Sequence, residues 1–146
     1  CVEETGRYCM PEEGINFAAR KELLTYEEII YLCGVLGELG VNKVRLTGGE
    51  PLSRKGLPRL VEGLGHIFPK MAMTTNGILL PPVLDELVGY GLDHYNLSLD
   101  TLHEDRFFQI TRRDEFGGTW NALEALLERA IKTKINVVGL KWPNDD

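Results

Sequence analysis

Apolar residues recur along this chain with two periods, one helical and one strand-like. Thr25 and Glu28 have the T-x-x-E spacing of a helix-capping box, and Gly40 stands where a helix that starts there would end. Gly34 and Gly37 fall inside this segment and are expected to weaken the helix. The spacing by three and four predicts a buried stripe made of Ile29, Leu32, Cys33, Leu36 and Leu39.

Short apolar runs and further helical patterns then alternate to the end of the chain. The pattern predicts strands at 43–47, 70–75, 94–99 and 134–140, with helices at 57–65, 81–91, 104–110 and 119–131. Repeated βαβ units of about 30 residues predict an α/β fold with a parallel sheet and right-handed crossovers. The spacing of hydrophobic residues does not show whether the sheet is open or closed into a barrel.

Ligands of such sheets bind beyond the carboxyl ends of the strands, which directs attention to the loop after the first strand. Gly48 and Gly49 allow the backbone there to approach a ligand closely, and Glu50 offers an acceptor for an ammonium group. The alternative is that the glycine pair only makes a turn.

Arg45 lies inside the first strand and shares one face with Lys43 and Thr47. Two cations are rarely buried without partners, so this is either the solvated face of an edge strand or an arginine directed into a cavity at a phosphate or a purine. Thr75, Ser98 and Lys134 stand at other strand ends, where each alone is typical of a solvated or capping residue. Asp100 is expected to cap the next helix. It is the last of the polar candidates at the strand ends.

Composition narrows the class of protein. The 146 residues suit one domain, and 16 basic against 22 acidic residues give a net charge of −6, which argues against nonspecific nucleic-acid binding. The chain has no apolar run long enough to span a bilayer, and its polar start is unlike a signal peptide. Three cysteines do not make a disulfide framework, so we expect a cytoplasmic protein without membrane contact.

Seven motifs follow one another along the chain: YCMPEEG, LTYEEI, RLTGGEP, TTNG, NLSLD, ITRR and KINVV. In order and spacing they resemble the GTP 3′,8-cyclases of molybdenum-cofactor biosynthesis, a family of radical S-adenosylmethionine (SAM) enzymes. The resemblance implies a partial TIM-like βα barrel, a [4Fe–4S] cluster, and SAM bound at the open iron. The implied reaction converts GTP to the cyclic pyranopterin precursor through a deoxyadenosyl radical and needs a reducing electron donor. The resemblance leaves open whether the chain forms a homodimer.

The same resemblance assigns expected roles to residues of this chain. SAM would be contacted by Tyr8, Gly48, Gly49, Glu50 and Ser98, with the glycine loop meeting its amino and carboxyl groups. GTP would be contacted by Arg45, Thr75 and Lys134.

The cluster ligands depart from the family's C-x3-C-x2-C pattern. That pattern ends here at Cys9, but the two earlier positions hold Val2 and Gly6. Cys9 and the displaced Cys1 are therefore the candidate metal ligands, and we expect them to hold a cluster poorly, since three thiolates are needed.

Residues 1–146 are accordingly expected to form one radical SAM core domain, without the family's first strand and C-terminal region. Two alternatives stay open: a radical SAM enzyme acting on another substrate, and a noncatalytic chain that lacks the cluster and binds a nucleotide or nothing. The cations Arg45 and Lys134 favour a phosphate ligand over a peptide, whereas Val2 and Gly6 favour the noncatalytic reading.

Overall fold

A computed structural model of the chain describes residues 23–139. Its α-helices are α1 (Tyr26–Glu38), α2 (Leu57–Gly65), α3 (Leu84–Gly89), α4 (Glu104–Thr111) and α5 (Phe116–Glu128). Its strands are β1 (Lys43–Leu46), β2 (Lys70–Thr75), β3 (Leu92–Ser98) and β4 (Lys132–Asn136). Two 3₁₀ turns, Pro51–Ser53 and Pro81–Val83, precede α2 and α3.

The four described strands form one parallel sheet in the order β1-β2-β3-β4. This order follows the chain, and helices connect each strand to the next. Sequential parallel strands with right-handed crossovers carry their helices on one side, as in a barrel wall. The predicted α/β fold with a parallel sheet is confirmed, and the open four-stranded sheet is consistent with part of a barrel.

One face of the sheet is covered by helices and forms the core. Alternate strand residues turn towards it, so that Met73, Tyr95 and Leu97 are almost fully buried. Helices α2, α3 and α5 supply the facing leucines, among them Leu64 and Leu87. At roughly 1.5–3 kcal/mol for each buried apolar side chain, this face accounts for most of the stability of the fold.

The opposite face of the sheet is polar and open. Arg45 of β1, Asn96 of β3 and Lys134 of β4 lie on it by strand alternation and by the sheet register. Arg45 and Lys134 are exposed there, whereas Thr74 of β2 is half-buried. The strand pattern therefore separates an apolar face that stabilises the fold from a polar face that is free for other contacts.

Helix α1 begins as predicted but buries a different stripe. Thr25 N donates to Glu28 Oε2 at 2.7 Å and Glu28 N donates to Thr25 Oγ1 at 3.2 Å, which confirms the capping box. Gly40 adopts a left-handed φ of +92° just past the helix end, also as predicted. The predicted stripe is wrong in part: Ile29 and Cys33 pack against the core, but the other three members are largely exposed, namely Leu32, Leu36 and Leu39.

Three further element boundaries differ from the sequence prediction. Strand β3 starts at Leu92, directly after the turn at Gly91, rather than at residue 94. Helix α5 starts at Phe116, because Gly117 and Gly118 are accommodated in its first turn. Strand β4 covers Lys132–Asn136 instead of 134–140, and its ladder ends where its partner β3 ends.

Candidate functional site

A cavity of about 380 Å³ lies at the carboxyl ends of the strands. The loop after β1, the ends of β2 and β3, and the segment after β4 form its polar wall, and α4 and α5 close the other side. Its apolar lining includes Ile78, Phe107 and Ile110. The position is the one at which parallel α/β sheets bind ligands.

The glycine loop forms one wall of this cavity. Gly48 has a φ of +141°, a conformation that side-chain-bearing residues rarely adopt. A Cβ atom at Gly48 would meet no atom within 4 Å, so the backbone here faces open space. The loop then enters the 3₁₀ turn Pro51–Ser53, which Glu50 caps.

The Glu50 carboxylate is held by three donors of the protein. Oε1 accepts from the Thr75 hydroxyl at 2.8 Å and from Leu52 N at 3.1 Å, and Oε2 accepts from Asn76 N at 2.8 Å. These bonds tie the end of β1 to the end of β2. Glu50 thereby fixes the shape of the glycine loop and keeps its negative charge at the cavity wall.

The two neighbouring threonines of β2 have different surroundings. The Thr75 side chain is 2% exposed, and its hydroxyl donates to Glu50 and accepts from Gly77 N at 2.9 Å. Thr74 points to the open face, where Arg45 Nη1 donates to its Oγ1 at 3.4 Å. Thr75 therefore supports the loop, while Thr74 is the threonine that contacts the strand arginine.

The ends of β3 and β4 close the polar wall. Ser98 is exposed and pairs with Asn136 in the sheet, and Leu99 N donates to Asn136 O at 3.1 Å. The Asp100 carboxylate accepts from Val138 N at 2.8 Å. Asp100 was expected to cap the following helix, which is wrong, because α4 begins four residues later at Glu104 and His103 is its N-cap.

The predicted site residues separate into two adjoining areas. Gly48, Gly49, Glu50, Thr75 and Ser98 line the cavity at the strand ends. The other two described candidates, Arg45 and Lys134, lie on the open face on the two outermost described strands. Three strand spacings separate their strands, about 14 Å along the sheet.

Thr74 belongs to both areas, since it lines the cavity and contacts Arg45. The sequence placed Thr74 at a strand end but assigned it no role, although strand alternation places it on the same side as Arg45 once the register is known. Arg113, in the connection between α4 and α5, and Thr119, inside α5, also line the cavity and were assigned no role, because both are far from any strand end. A pattern of strand termini carries no signal for such residues.

The remaining candidates, Tyr8, Cys9 and Cys1, lie outside the described residues, as do Val2 and Gly6. Between residues 23 and 139, no group of three or more His, Cys, Asp or Glu side chains could hold a metal ion. Cys33 is the free cysteine of that range, and burial raises the pKa of its thiol. None of the helices in the described part is both long and apolar enough to cross a bilayer.

Comparison with known families shows the family of this chain. The profile of the radical SAM superfamily matches residues 7–146, which is nearly the whole chain. The chain belongs to the radical SAM superfamily. Members of this superfamily use SAM and a [4Fe–4S] cluster.

Curated proteins similar to this radical SAM chain carry names from one pathway. GTP 3′,8-cyclase of Petrotoga mobilis is 44% identical over 142 residues, covering 95% of this chain and 44% of the relative. Molybdenum cofactor biosynthesis protein 1 of Dictyostelium discoideum is 45% identical over 142 residues, covering 95% and 22%. GTP 3′,8-cyclase of Thermodesulfovibrio yellowstonii is 44% identical over 146 residues, covering 95% and 44%. The chain spans less than half the length of each of these relatives.

The described residues fit the SAM part of the implied cofactor pair. The cavity volume lies within the range of small-molecule sites, roughly 300–1,000 Å³. Its wall combines an open glycine backbone and a fixed carboxylate with an apolar surface, which suits a ligand with both an amino-acid end and a flat ring. The candidate cluster ligands, Cys9 and Cys1, lie outside the described residues.

Proposed function

We propose that this chain binds SAM at the strand-end cavity and GTP on the open face of the sheet, as the core of a GTP 3′,8-cyclase. The observation that carries the proposal is the adjacency of the two areas through Thr74, which lines the cavity and contacts Arg45. The two ligands of a radical reaction must meet at one point, and Thr74 would be close to that point, because it lines the cavity and contacts Arg45. The names of the similar proteins support GTP as the second ligand.

SAM with a reduced cluster would supply the carbon radical that abstracts hydrogen from the substrate. The residues of this chain would bind and orient the two ligands. The glycine loop would receive the methionine end of SAM, with Ser98 on the facing wall. On the open face, Arg45 and Lys134 would contact opposite ends of GTP, because their strands are the outermost two of the described sheet.

Thr74 is a better candidate than Thr75 for direct contact with GTP. The Thr75 hydroxyl is buried, and it already donates to Glu50 and accepts from Gly77 N. Thr74 stands beside Arg45 on the side of the sheet that a nucleotide could reach. Thr75 would then act as a positioning residue through Glu50.

Calorimetric titration of GTP into the wild-type chain and its Arg45→Ala and Lys134→Ala variants tests the substrate assignment. Each variant should weaken GTP binding by about tenfold, the loss expected for one charge-assisted contact to phosphate. Guanosine, which has no phosphate, should bind the wild type and both variants with similar affinity. The matched control is Arg59→Ala, since Arg59 is an exposed cation of α2 on the covered side that pairs with Glu27. Unchanged GTP affinity in both Arg45→Ala and Lys134→Ala would refute the assignment.

A second candidate function is a noncatalytic nucleotide-binding chain, which the cysteine positions favour. Val2 and Gly6 stand where the family places two cluster ligands, and two thiolates such as Cys1 and Cys9 would leave a cluster underligated. Anaerobic reconstitution with iron and sulfide should then give little or no bound cluster. Stoichiometric iron with a brown chromophore that is lost in Cys9→Ala would reject this candidate and favour the enzyme.

A further inference from the structure

The strands carry an excess of positive charge that the chain as a whole does not. Five lysine and arginine side chains stand in β1–β4 against one acidic side chain, that of Asp93. The whole chain, by contrast, has a net charge of −6. Asp93 is already engaged, because its Oδ1 lies 2.6 Å from Nδ1 of His94. The basic strand residues therefore have little compensating negative charge within the sheet, and an anionic ligand would be attracted to them.

The sheet register arranges the open face in rows that run across the strands. The row that contains Arg45 has one residue from each strand: Arg45, Ala72, His94 and Lys132. We call it the lower row. The next row towards the cavity, the upper row, consists of Thr74, Asn96 and Lys134. Two residues along a strand, roughly 6.6 Å, separate the two rows.

Lys132 is a basic residue of the open face to which the sequence assigned no role. The fourth strand was predicted to begin at Lys134, whereas β4 begins at Lys132. Because alternate residues of a strand share a face, the two lysines lie side by side on the open face, and both are exposed. Neither has an ion-pair partner among the described residues, whereas Arg129, after α5, pairs with Asp85 at 2.6 Å.

His94 lies directly beside Lys132 in the lower row. A carboxylate only accepts hydrogen bonds, so Nδ1 of His94 is the donor in the contact with Asp93. Its Nε2 has no partner within residues 23–139, and a ring that is protonated on both nitrogens donates through Nε2 as well. On its other side the row continues with Ala72, whose side chain is a single methyl group. No large side chain of this row therefore stands between His94 and Arg45.

The direction of a nucleotide on this face follows from the chemistry of the proposed reaction. Carbon-bound hydrogen is present in the nucleoside but not in the phosphate groups, so a radical formed from SAM must meet the nucleoside. The nucleoside would therefore lie close to the strand-end cavity, beside the upper row. The phosphates farthest from it would extend towards the amino ends of the strands, where the lower row lies.

We propose that Lys132 and His94 bind the terminal phosphates of GTP and thereby select a nucleoside triphosphate over a monophosphate. Arg45 donates to Thr74 in the upper row, so it would contact a phosphate nearer to the nucleoside. This inference rests on the proposed binding of GTP on the open face, and it adds two residues that determine specificity for the number of phosphates.

The test compares GTP, GMP and inorganic tripolyphosphate by calorimetric titration in the absence of divalent cations. GMP lacks the terminal phosphates, and tripolyphosphate lacks the nucleoside. The variants are Lys132→Gln, Lys132→Arg and His94→Gln. Lys55→Gln is the matched control, because Lys55 is an exposed lysine in the connection before α2, outside the sheet.

Wild type should bind GTP at least about tenfold more tightly than GMP, a measurement that needs no variant. Lys132→Gln should weaken GTP and tripolyphosphate by about tenfold each and GMP by less than about twofold. His94→Gln should change the same two affinities by about threefold, and Lys132→Arg, which keeps the charge, should lose little. Lys55→Gln should leave all three affinities within about twofold of wild type.

Equal affinity of the wild type for GTP and GMP overturns this inference, even if the glutamine variants do not fold. Equal losses of GTP and GMP in Lys132→Gln also overturn it, because the contact would then not depend on the terminal phosphates. Unchanged GTP affinity in both Lys132→Gln and His94→Gln overturns it too, and the proposed function still stands if Arg45→Ala weakens GTP. A wild-type chain that binds neither nucleotide overturns the GTP site itself, and this inference with it.

Discussion

The two faces of the sheet are built from alternating residues of the same strands, yet they differ in almost every physical respect. In β3, Leu97 is fully buried under the helices, while its neighbour Asn96 turns to the open face beside Thr74 and Lys134. In β2, Thr75 is bonded within the protein, while Thr74 is directed towards Arg45. One face stabilises the fold and the other presents polar groups, so substitutions one residue apart should differ strongly in their effect on stability.

The largest contrast is expected in β3. Leu97→Ala should lower the free energy of unfolding by about 2–5 kcal/mol, because it removes buried contacts and leaves a cavity. Asn96→Ala, on the open face, should change it by less than about 0.5 kcal/mol. Urea unfolding followed by circular dichroism measures both. Similar losses in the two variants would contradict the division between the faces.

A smaller contrast is expected between the threonines of β2. Thr75→Val should cost about 1–3 kcal/mol, because the Glu50 carboxylate loses a donor and Gly77 N loses its acceptor. Thr74→Val removes a hydroxyl with one long contact to Arg45 and should cost less than about 0.5 kcal/mol. Its effect should appear instead in GTP affinity. A variant pair with the reverse order of stability would show that Thr75 does not support the loop.

The glycines of α1 test how closely the helices on the covered side are packed. A Cβ at Gly34 would meet no atom within 4 Å, so Gly34→Ala should stabilise the protein by about 0.5–1 kcal/mol. A Cβ at Gly37 would lie 2.8 Å from Ile67 Cγ2, so Gly37→Ala should lose this gain or destabilise the protein. Thermal unfolding of the two variants separates them. Equal stabilisation by both would show that α1 can move away from Ile67.

The smallest effect concerns the buried Tyr95 hydroxyl, which has no hydrogen-bond partner among the described residues. Tyr95→Phe should be neutral or stabilise by up to about 1 kcal/mol, because no bond is lost and a desolvated hydroxyl is removed. A clear loss of stability would indicate a partner for this hydroxyl.

The same phenol should make stability depend on alkaline pH. Burial, and then the charge of Asp93, raises the pKa of Tyr95. The phenol of the unfolded chain titrates near pH 10 and that of the folded chain titrates higher, so stability should fall as the pH rises above about 10. Urea unfolding at a series of pH values should show this slope in wild type and a weaker slope in Tyr95→Phe. Tyr31→Phe, at an exposed position, is the control.

Much of the fold could be predicted from local signals. The capping box at Thr25, the left-handed Gly40 and the alternation of strand and helix each depend on residues close in sequence. The exposed Leu32 and Leu36 could not be predicted, because a helical period shows which residues share a face but not how wide a stripe the neighbours cover. The predicted end of β4 was also wrong, because this strand ends at Asn136, where its hydrogen-bonded partner β3 ends.

By itself, the sequence determined the order of elements, the parallel α/β class, the polar strand ends and the radical SAM resemblance. Those properties depend on residues close in sequence or on sums over the whole chain, so they can be predicted without knowledge of the packing. Only the tertiary structure decided that Thr75 bonds Glu50 while Thr74 faces Arg45, and that Arg113 and Thr119 join the glycine loop on one cavity. Such assignments depend on sheet register and on helix connections that bring distant residues together, and no short-range pattern encodes them.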